Sequence, residues 1–436
     1  MYPLDDKREI FSWIMYDWAN SPFGSTVVTT FLGPYLAELA RAQGGFVYLF
    51  GYGIEADAFF PYCVSLSVGM QVLFLPILGT LADYTPLKKT LLLTFAYTGA
   101  IATILLFLVQ GDLVVLGGLL FLIANLSFGA ALVFYNAFLP DIASPDNRDR
   151  VSSQGFGYGY TGGGVLLVIN ILMVNFMADT GLAVRLSLAS AGVWWLFFTL
   201  IFPQRHLRQR QPEGKLPAGS NYLTHSLKEF FASLKEMYHQ YPKTLRFLIG
   251  YLIYNDGIQT VIVASGLFAV SELGMGYETL VIVILFIQFV AAAGAWLFNL
   301  VAARIGAKWT IIFNLMIWAA AVIYAYGFLY TELQFWILGF ATGLVLGSSQ
   351  ALSRSLFSQM IPENRESAYF GLYEISERGT SWIGPVVFGT AVQMTGSSRV
   401  AILPIIAFFI IGMIILYFTD VRAAIQDAGN EVPVVV

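Results

Sequence analysis

The sequence predicts an all-α membrane protein of twelve transmembrane helices, arranged as two pseudo-symmetric six-helix halves. Three observations lead there. Of the 436 residues, 57% are hydrophobic and only 11% charged, with a mean hydropathy of +0.71; a soluble domain carries roughly 25% charged residues. Apolar runs of about 20 residues, the length a helix needs to cross a bilayer, recur along the chain without the period-2 alternation of barrel strands. The basic residues also fall almost entirely on one side of the spans these runs imply.

The runs place helices at 11–37, 58–82, 89–110, 113–138, 155–177, 182–202, 244–270, 278–302, 308–329, 332–358, 367–393 and 399–419. They divide into an N-terminal half (1–202), a polar linker (203–243) and a C-terminal half (244–436). Met1 to Ile10 is mixed in charge, and the first run is too long for a signal-peptide core, so it is expected to stay in the membrane. With the N-terminus in the cytoplasm, 18 of the 23 lysines and arginines lie inside: Lys7, Arg8, Lys88, Lys89, Arg148, Arg150, seven in the linker, Arg246, Arg304, Lys308, Arg365 and Arg422. Arg41, Arg185 and Arg399 lie outside, and Arg354 and Arg378 fall within helices. This asymmetry predicts cytoplasmic termini and a cytoplasmic linker. The net charge of −4 adds little, because placement matters more than the sum.

The linker holds Arg205, Arg208, Arg210, Lys215, Lys228, Lys235 and Lys243, and all three histidines, His206, His225 and His239. Pro212 to Ser220 reads as a flexible connector. From Asn221 to Tyr241, the residues Leu223, Leu227, Phe230, Leu234, Met237 and Tyr241 recur at steps of four and three. They share one helix face, with Lys228, Glu229, Lys235 and Glu236 largely off it. This predicts an amphipathic helix under the membrane or against the bundle, with plain packing preferred to partner docking.

Enzymatic and pump chemistries find no support. Cys63 has no second cysteine to pair with, and its apolar surroundings make it a small buried side chain. There is no H-E-x-x-H, no Cys/His cluster and no G-x-x-x-x-G-K-S/T phosphate loop, so neither a metal, a cofactor nor a bound nucleotide is expected. The bilayer is the expected surrounding, with no nucleic-acid partner.

The halves echo each other. Pro145-Asp146-Asn147-Arg148 follows helix 4, and Pro362-Glu363-Asn364-Arg365 follows helix 10, 217 residues later (362 against 145). Gly79 to Lys89 lies between helices 2 and 3, and Asn299 to Trp309 between helices 8 and 9. Tyr16-Asp17-Trp18 in helix 1 matches Tyr254-Asn255-Asp256-Gly257 in helix 7. Two repeated halves joined by a long cytoplasmic loop are the pattern of a secondary transporter.

The segment from Gly79 to Lys89 resembles the loop motif of the major facilitator superfamily, G-x-x-x-D-R-x-G-R-K/R-K/R, through Gly79, Asp83, Lys88 and Lys89. Tyr84, Pro86 and Leu87 depart from it; the second copy keeps Arg304, Gly306 and Lys308 but has Asn299 and Ala303 for the glycine and acid. Residues 12–23, 133–151, 254–260, 350–357 and 369–389 resemble the vacuole-effluxer-like branch of that superfamily. The branch includes the fungal autophagy-related amino-acid effluxer and bacterial relatives. The resemblance implies the major facilitator fold, secondary transport by alternating access and, more distantly, amino-acid export. It also implies that helices 1, 4, 7 and 10 line a central cavity, that helices 5 and 8 face each other, and that the acid matching Asp83 faces the start of helix 11.

Ionisable groups inside spans are costly and therefore mark candidate sites. Asp17 lies about 9 Å into helix 1 and Asp256 about 18 Å into helix 7, at 1.5 Å per residue. Helix 11 carries Glu374, Glu377 and Arg378. These five are the substrate or proton candidates, although Glu374 and Arg378, four apart, could instead form a neutral structural pair. Asp17 could instead cap or pair with a loop near the surface. A zwitterionic amino acid would need an acid for its ammonium and a cation for its carboxylate; Asp256 or Asp17 with Arg378 supplies both. Tyr16, Asn20, Asn136, Gln259 and Tyr373 are cavity candidates, against a reading of ordinary packing. The gating set is Gly79, Asp83, Lys88, Lys89, Arg148, Arg304, Arg354 and Arg365, with Arg354 snorkelling or making a gate contact. The glycines of helix 5 (Gly155, Gly157, Gly159, Gly162, Gly163 and Gly164) and Ala291 to Ala295 of helix 8 suit either a sliding surface or tight packing.

The expected activity is secondary transport of a small solute by a monomer, with amino-acid efflux coupled to protons as one form. Transport of a sugar, drug or organic acid, and a non-transporting sensor with the same fold, stay open. The expected location is a bacterial cytoplasmic membrane or, in a eukaryote, a vacuole-like one.

Overall fold

The computed structural model describes residues 3–49, 51–210, 222–376 and 383–436. Asp6 starts α1 (Lys7–Pro22) by accepting the Arg8 and Glu9 amides. That cap begins the first helix four residues before the expected span, so Asp17 lies about 15 Å along it at 1.5 Å per residue. Pro22 has no N–H to give the Trp18 carbonyl. The Trp194 indole N–H takes that carbonyl instead, at 3.0 Å. Beyond Pro22 the turns widen into a π-helix, Phe23–Phe31, where the Thr29 and Thr30 hydroxyls donate to carbonyls five residues back, Gly24 and Ser25. The chain then returns to α geometry in α2 (Leu32–Ala42). The following loop, read from sequence only as a connection, folds as an antiparallel hairpin of β1 (Phe46–Leu49) and β2 (Tyr52–Glu55). Gly51, with φ +87°, makes its turn.

The N-terminal half continues with α3 (Ala56–Asp83), α4 (Lys88–Leu105), α5 (Val114–Ala137), short α6 (Leu139–Ile142), α7 (Arg148–Phe176) and α8 (Thr180–Ile201). Short α9 (Pro203–His206) and α10 (Tyr222–His239) belong to the linker, whose connector Pro212 to Ser220 lies outside the described residues. The C-terminal half comprises α11 (Pro242–Ser271), α12 (Tyr277–Ile305), α13 (Ala307–Gly327), α14 (Glu332–Gln359), α15 (Glu366–Glu374), α16 (Ile383–Thr395), α17 (Ser398–Ala401), α18 (Ile405–Tyr417) and α19 (Val421–Asp427). Among the described residues, ten helical stretches are long and apolar enough to cross a bilayer. The other two expected spans correspond to the α1–π–α2 run and to α15 with α16, which flank residues 377–382.

Buried apolar side chains gather into two clusters. One draws on Ile10 to Leu207, and the other on Met237 to Ile425 with Ala137 from the first half. The halves meet where α7 packs on α12 and α14, and α15 packs on α3 and α5. Both described chain ends come to one face. The Asp5 amide bonds Ile142 O, the Val434 amide bonds Asp146, and Lys243 pairs with Asp427 at 2.7 Å. Burial works against the charge of Asp5, but hydrogen bonds from the Ser144 side chain and amide prevail and hold its carboxyl below the usual range.

The glycines of α7 divide between two neighbours. Gly155, Gly159 and Gly162 admit α1, while Gly157 and Gly164 seat Trp296 and Phe289 of α12. The small residues of α12 turn elsewhere: a Cβ on Gly294 would stand 2.0 Å from Leu344 O in α14, and Gly347 of α14 sits against Ala291 O. Bulky α12 side chains thus enter glycine gaps in α7, and the close backbone approach is to α14. Gly294→Ala should therefore cost about 1–3 kcal/mol through overpacking, read as a lower thermal unfolding midpoint in detergent. Gly339→Ala in the same α12–α14 contact, where the nearest atom is an Ile287 side chain at 3.4 Å, should leave the midpoint unchanged.

Candidate functional site

The deepest charged cluster joins the two halves. Arg354 of α14 is 2% exposed, and its Nη1 lies 3.3 Å from Oδ2 of Asp17 in α1. The same carboxylate oxygen accepts the Tyr135 hydroxyl at 2.7 Å. The rest of the guanidinium is also occupied. Nε donates to Ser152 Oγ at 2.9 Å, Nη2 to Ser152 O at 2.9 Å and Nη1 to Asn136 Oδ1 at 3.3 Å. Three rings surround it: Phe156, Trp13 and Tyr135 have centroids 4.2, 4.8 and 5.4 Å from Cζ. Trp13 is fixed by stacking on Tyr135 and by donating its indole N–H to Tyr135 O at 2.8 Å. Gly155 is required here, since a Cβ would stand 2.6 Å from Asp17 Oδ2. Asn136 extends the network by donating to Glu374 Oε1 at 2.7 Å.

Asp17 therefore pairs with Arg354 rather than with a surface loop, and Arg354 turns inward rather than snorkelling. Asn136 hydrogen-bonds Glu374, which is fully buried. Glu377 and Arg378 lie outside the described residues. Asp256 sits midway along α11, 1% exposed. Its Oδ2 accepts the Gly384 amide of α16 at 2.7 Å, and its Oδ1 has no hydrogen-bond partner among the described residues. Gly384 admits this contact, because a Cβ there would fall 1.8 Å from Thr260 Oγ1. A buried carboxylate oxygen left open is a ready acceptor for a cationic or protonated group. Tyr373 is buried and stacked on Tyr251 at 4.4 Å; Tyr16 and Asn20 are buried on α1, and Gln259 is half-buried on α11.

A second cluster closes the face that carries the chain ends. Asp83, at the end of α3, accepts the Ser367 and Ala368 amides at the start of α15, at 2.9 and 2.8 Å. These are unsatisfied first-turn N–H groups at the positive end of a helix dipole. Gly79 makes the approach possible, as a Cβ would lie 2.2 Å from Ser367 O. Lys88 bridges Asp141 at 3.1 Å and Glu366 at 3.8 Å. With Arg210 and Asn364, these groups line a small polar cavity of about 40 Å³. Arg148 donates to Ser358 O across the seam at 2.8 Å. Lys89 reaches the start of the linker, donating to Gln204 O at 2.8 Å. Arg365 ties α15 to the linker helix through Glu236 at 3.3 Å and Ser233 Oγ at 2.8 Å. In the second motif copy, Ala303 and Arg304 are exposed, and Lys308 donates to Tyr417 O and Thr419 O.

Sequence reasoning missed Tyr135, Ser152, Trp13 and Phe156 around Arg354, and Asp141 and Glu366 around Lys88. Trp13 and Tyr135 lie within segments 12–23 and 133–151, singled out for their family likeness, but aromatic residues in spans read equally well as packing. Only the fold reveals that they enclose a cation.

Comparison with known proteins agrees with this architecture. The model of the family described as "Vacuole effluxer Atg22 like" matches residues 5–429. An uncharacterized MFS-type transporter of Bacillus subtilis, YxiO, is 32% identical, with 97% of each chain covered. Autophagy-related protein 22-1 of Penicillium rubens is 26% identical over 98% of this chain and 93% of its own. Among solved structures, the human organic anion transporter MFSD10 (TETRAN) superposes with a TM-score of 0.69 at 14% identity, covering 95% of this chain and 100% of that one. The repeated halves, the Asp83 motif and a family match over nearly the whole length lead to one conclusion: this chain belongs to the Atg22-like vacuole-effluxer family, a branch of the major facilitator superfamily of transporters rather than of enzymes.

Proposed function

We propose that this transporter exports an amino acid by alternating access, coupled to protons, and that the structure represents the state closed on the cytoplasmic side. The observation that carries the reading is the stitched seam. The Arg354–Asp17 pair, the Asn136–Glu374 bond, the Arg148–Ser358 bond and the Asp83 contacts to α15 all join the two halves between the middle of the bundle and the face bearing the chain ends. The excess of basic residues assigns that face to the cytoplasm. Both halves of the solute path come from one chain, which supports a monomer as the working unit.

In this reading Asp256 receives the solute ammonium on its open Oδ1. Asp17 is the proton site: protonation removes the charge that holds Arg354, so the cytoplasmic seam loosens and the freed guanidinium becomes available to a carboxylate. Asp83 is a latch. Its charge and the first-turn amides of α15 attract only while the seam is closed.

Asp256→Asn should abolish or uncouple proton-driven amino-acid flux in reconstituted vesicles. Unchanged, still proton-dependent flux would remove Asp256 from the mechanism, and no solute-dependent flux by the unmodified protein would favour a sensor. Arg354→Gln strands a buried carboxylate and should cost about 3–5 kcal/mol, seen as a lower thermal midpoint. Adding Asp17→Asn should recover part of that loss, with the double-mutant cycle measuring the coupling. Asp83→Ala should lengthen the distance between spin labels at Leu87 and Glu363, on either side of the α3–α15 seam; an unchanged distance distribution rejects the latch.

A further inference from the structure

The linker helix α10 buries only part of its apolar surface. It packs on α3, α11 and α15, with Ser233 and Met237 fully buried and Phe230 and Tyr241 partly so. Arg365 grips its acidic side through Glu236. Leu234, placed by periodicity on the packed face, is instead 37% exposed, and Phe231 and Tyr238 are 65% and 66% exposed. The side chains of Leu223 and Leu227 lie outside those described.

These residues fall in a definite angular order. At about 100° per residue, Leu234, Tyr238 and Phe231 form a sector directly beside the buried one. Lys235, Lys228 and His239 follow next, all exposed. The acidic residue Glu236 lies on the opposite flank, toward Arg365 and the seam. The helix thus presents, in sequence around its circumference, protein, bare apolar surface and bare positive charge. Ser233 and Glu236 meet Arg365 at the start of α15, and the helix leads directly into the start of the spanning α11. A helix at that depth with apolar residues below a basic edge matches the interfacial layer, where acyl chains give way to phosphates.

We infer that the Leu234–Tyr238–Phe231 face of α10 inserts into the adjoining leaflet, and that Lys228 and Lys235 bind headgroup phosphates of anionic phospholipids. A soluble protein partner would need this face to be reached from the aqueous side, whereas the neighbouring span ends place it beside lipid. The arrangement makes the linker a lipid-contacting element whose opposite flank holds the α15 end of the seam.

The test uses the full chain carrying Cys63→Ala, since the native cysteine is buried. Single cysteines at Phe231, Tyr238 and Ala232 carry an environment-sensitive fluorophore, with the protein in nanodiscs of phosphatidylcholine alone or mixed with phosphatidylglycerol. Ala232 is exposed on the polar side and serves as the aqueous reference. Labels at 231 and 238 should be quenched by spin-labelled acyl chains at least about twofold more than the label at 232. Phosphatidylglycerol should strengthen quenching, with occupancy of the leaflet rising about five-fold per lysine engaged. Lys228→Glu with Lys235→Glu should abolish that dependence while leaving the label at 232 unchanged. Equal quenching at all three positions overturns the insertion. Quenching indifferent to phosphatidylglycerol overturns the headgroup contact, and protection of 231 that requires an added soluble protein overturns the choice of lipid.

Discussion

A guanidinium and a carboxylate meet inside this bundle toward the face that carries the chain ends, one from each half, and neither can be left alone there. Removing one partner of a buried pair costs roughly 3–5 kcal/mol, because the other charge is stranded. Asp17 and Arg354 offset that cost mutually, and Tyr135, Ser152, Asn136 and three aromatic faces satisfy what the pair leaves over. Around them the backbone is shaped to fit. Gly155 gives α7 room beside the pair, and Ser152 offers both its hydroxyl and its carbonyl to the guanidinium. A buried pair of this kind adds little net stability compared with well-packed apolar side chains, but breaking it is expensive. Its role is therefore to make one arrangement of the halves much better than its near neighbours.

Much of the scaffold was legible in the chain because the bilayer enforces simple rules. Spans must be apolar and about 20 residues long, and loops on one side collect Lys and Arg. The Asp83 motif was legible as well, since its chemistry is local to one short loop. The pairing of Asp17 with Arg354 was not, because 337 residues separate them and nothing in either segment points to the other. Glu374 shows the same limit. Nothing near Glu374 in the sequence pointed to Asn136 of the other half, which donates to it; Arg378, four residues on, lies outside the described residues. Periodicity defined α10 as an amphipathic helix but could not say how much of a wide apolar face the bundle would cover. The π stretch after Pro22 lay equally out of reach: proline announces a fault in the helix, but not how the next turns absorb it.

The two clusters divide the work by depth. The network at Asp17 and Arg354 is buried and flanked by aromatic rings, so its strength depends on geometry. The group at Asp83, Lys88 and Glu366 borders an open polar cavity. There the attraction is partly screened, and it is directed by the first-turn amides of α15 rather than by a matched ion pair. Both clusters join the two halves, one through an enclosed ion pair and the other through the first-turn amides of a helix.

The second motif copy has a different meaning. Where Asp83 faces the α15 amides, the corresponding Ala303 carries no acid, and both it and Arg304 are exposed. On that side the Asp146 carboxylate instead accepts the Val434 amide from the segment after α19. A duplicated scaffold has therefore not kept duplicated mechanics. Among the described residues, the first copy carries the fastening and the second, with alanine in place of the acid, does not. For engineers, equivalent positions in the two halves are not exchangeable parts: grafting Gly79 and Asp83 onto Asn299 and Ala303 would build a fastening that the described residues of the second half do not contain.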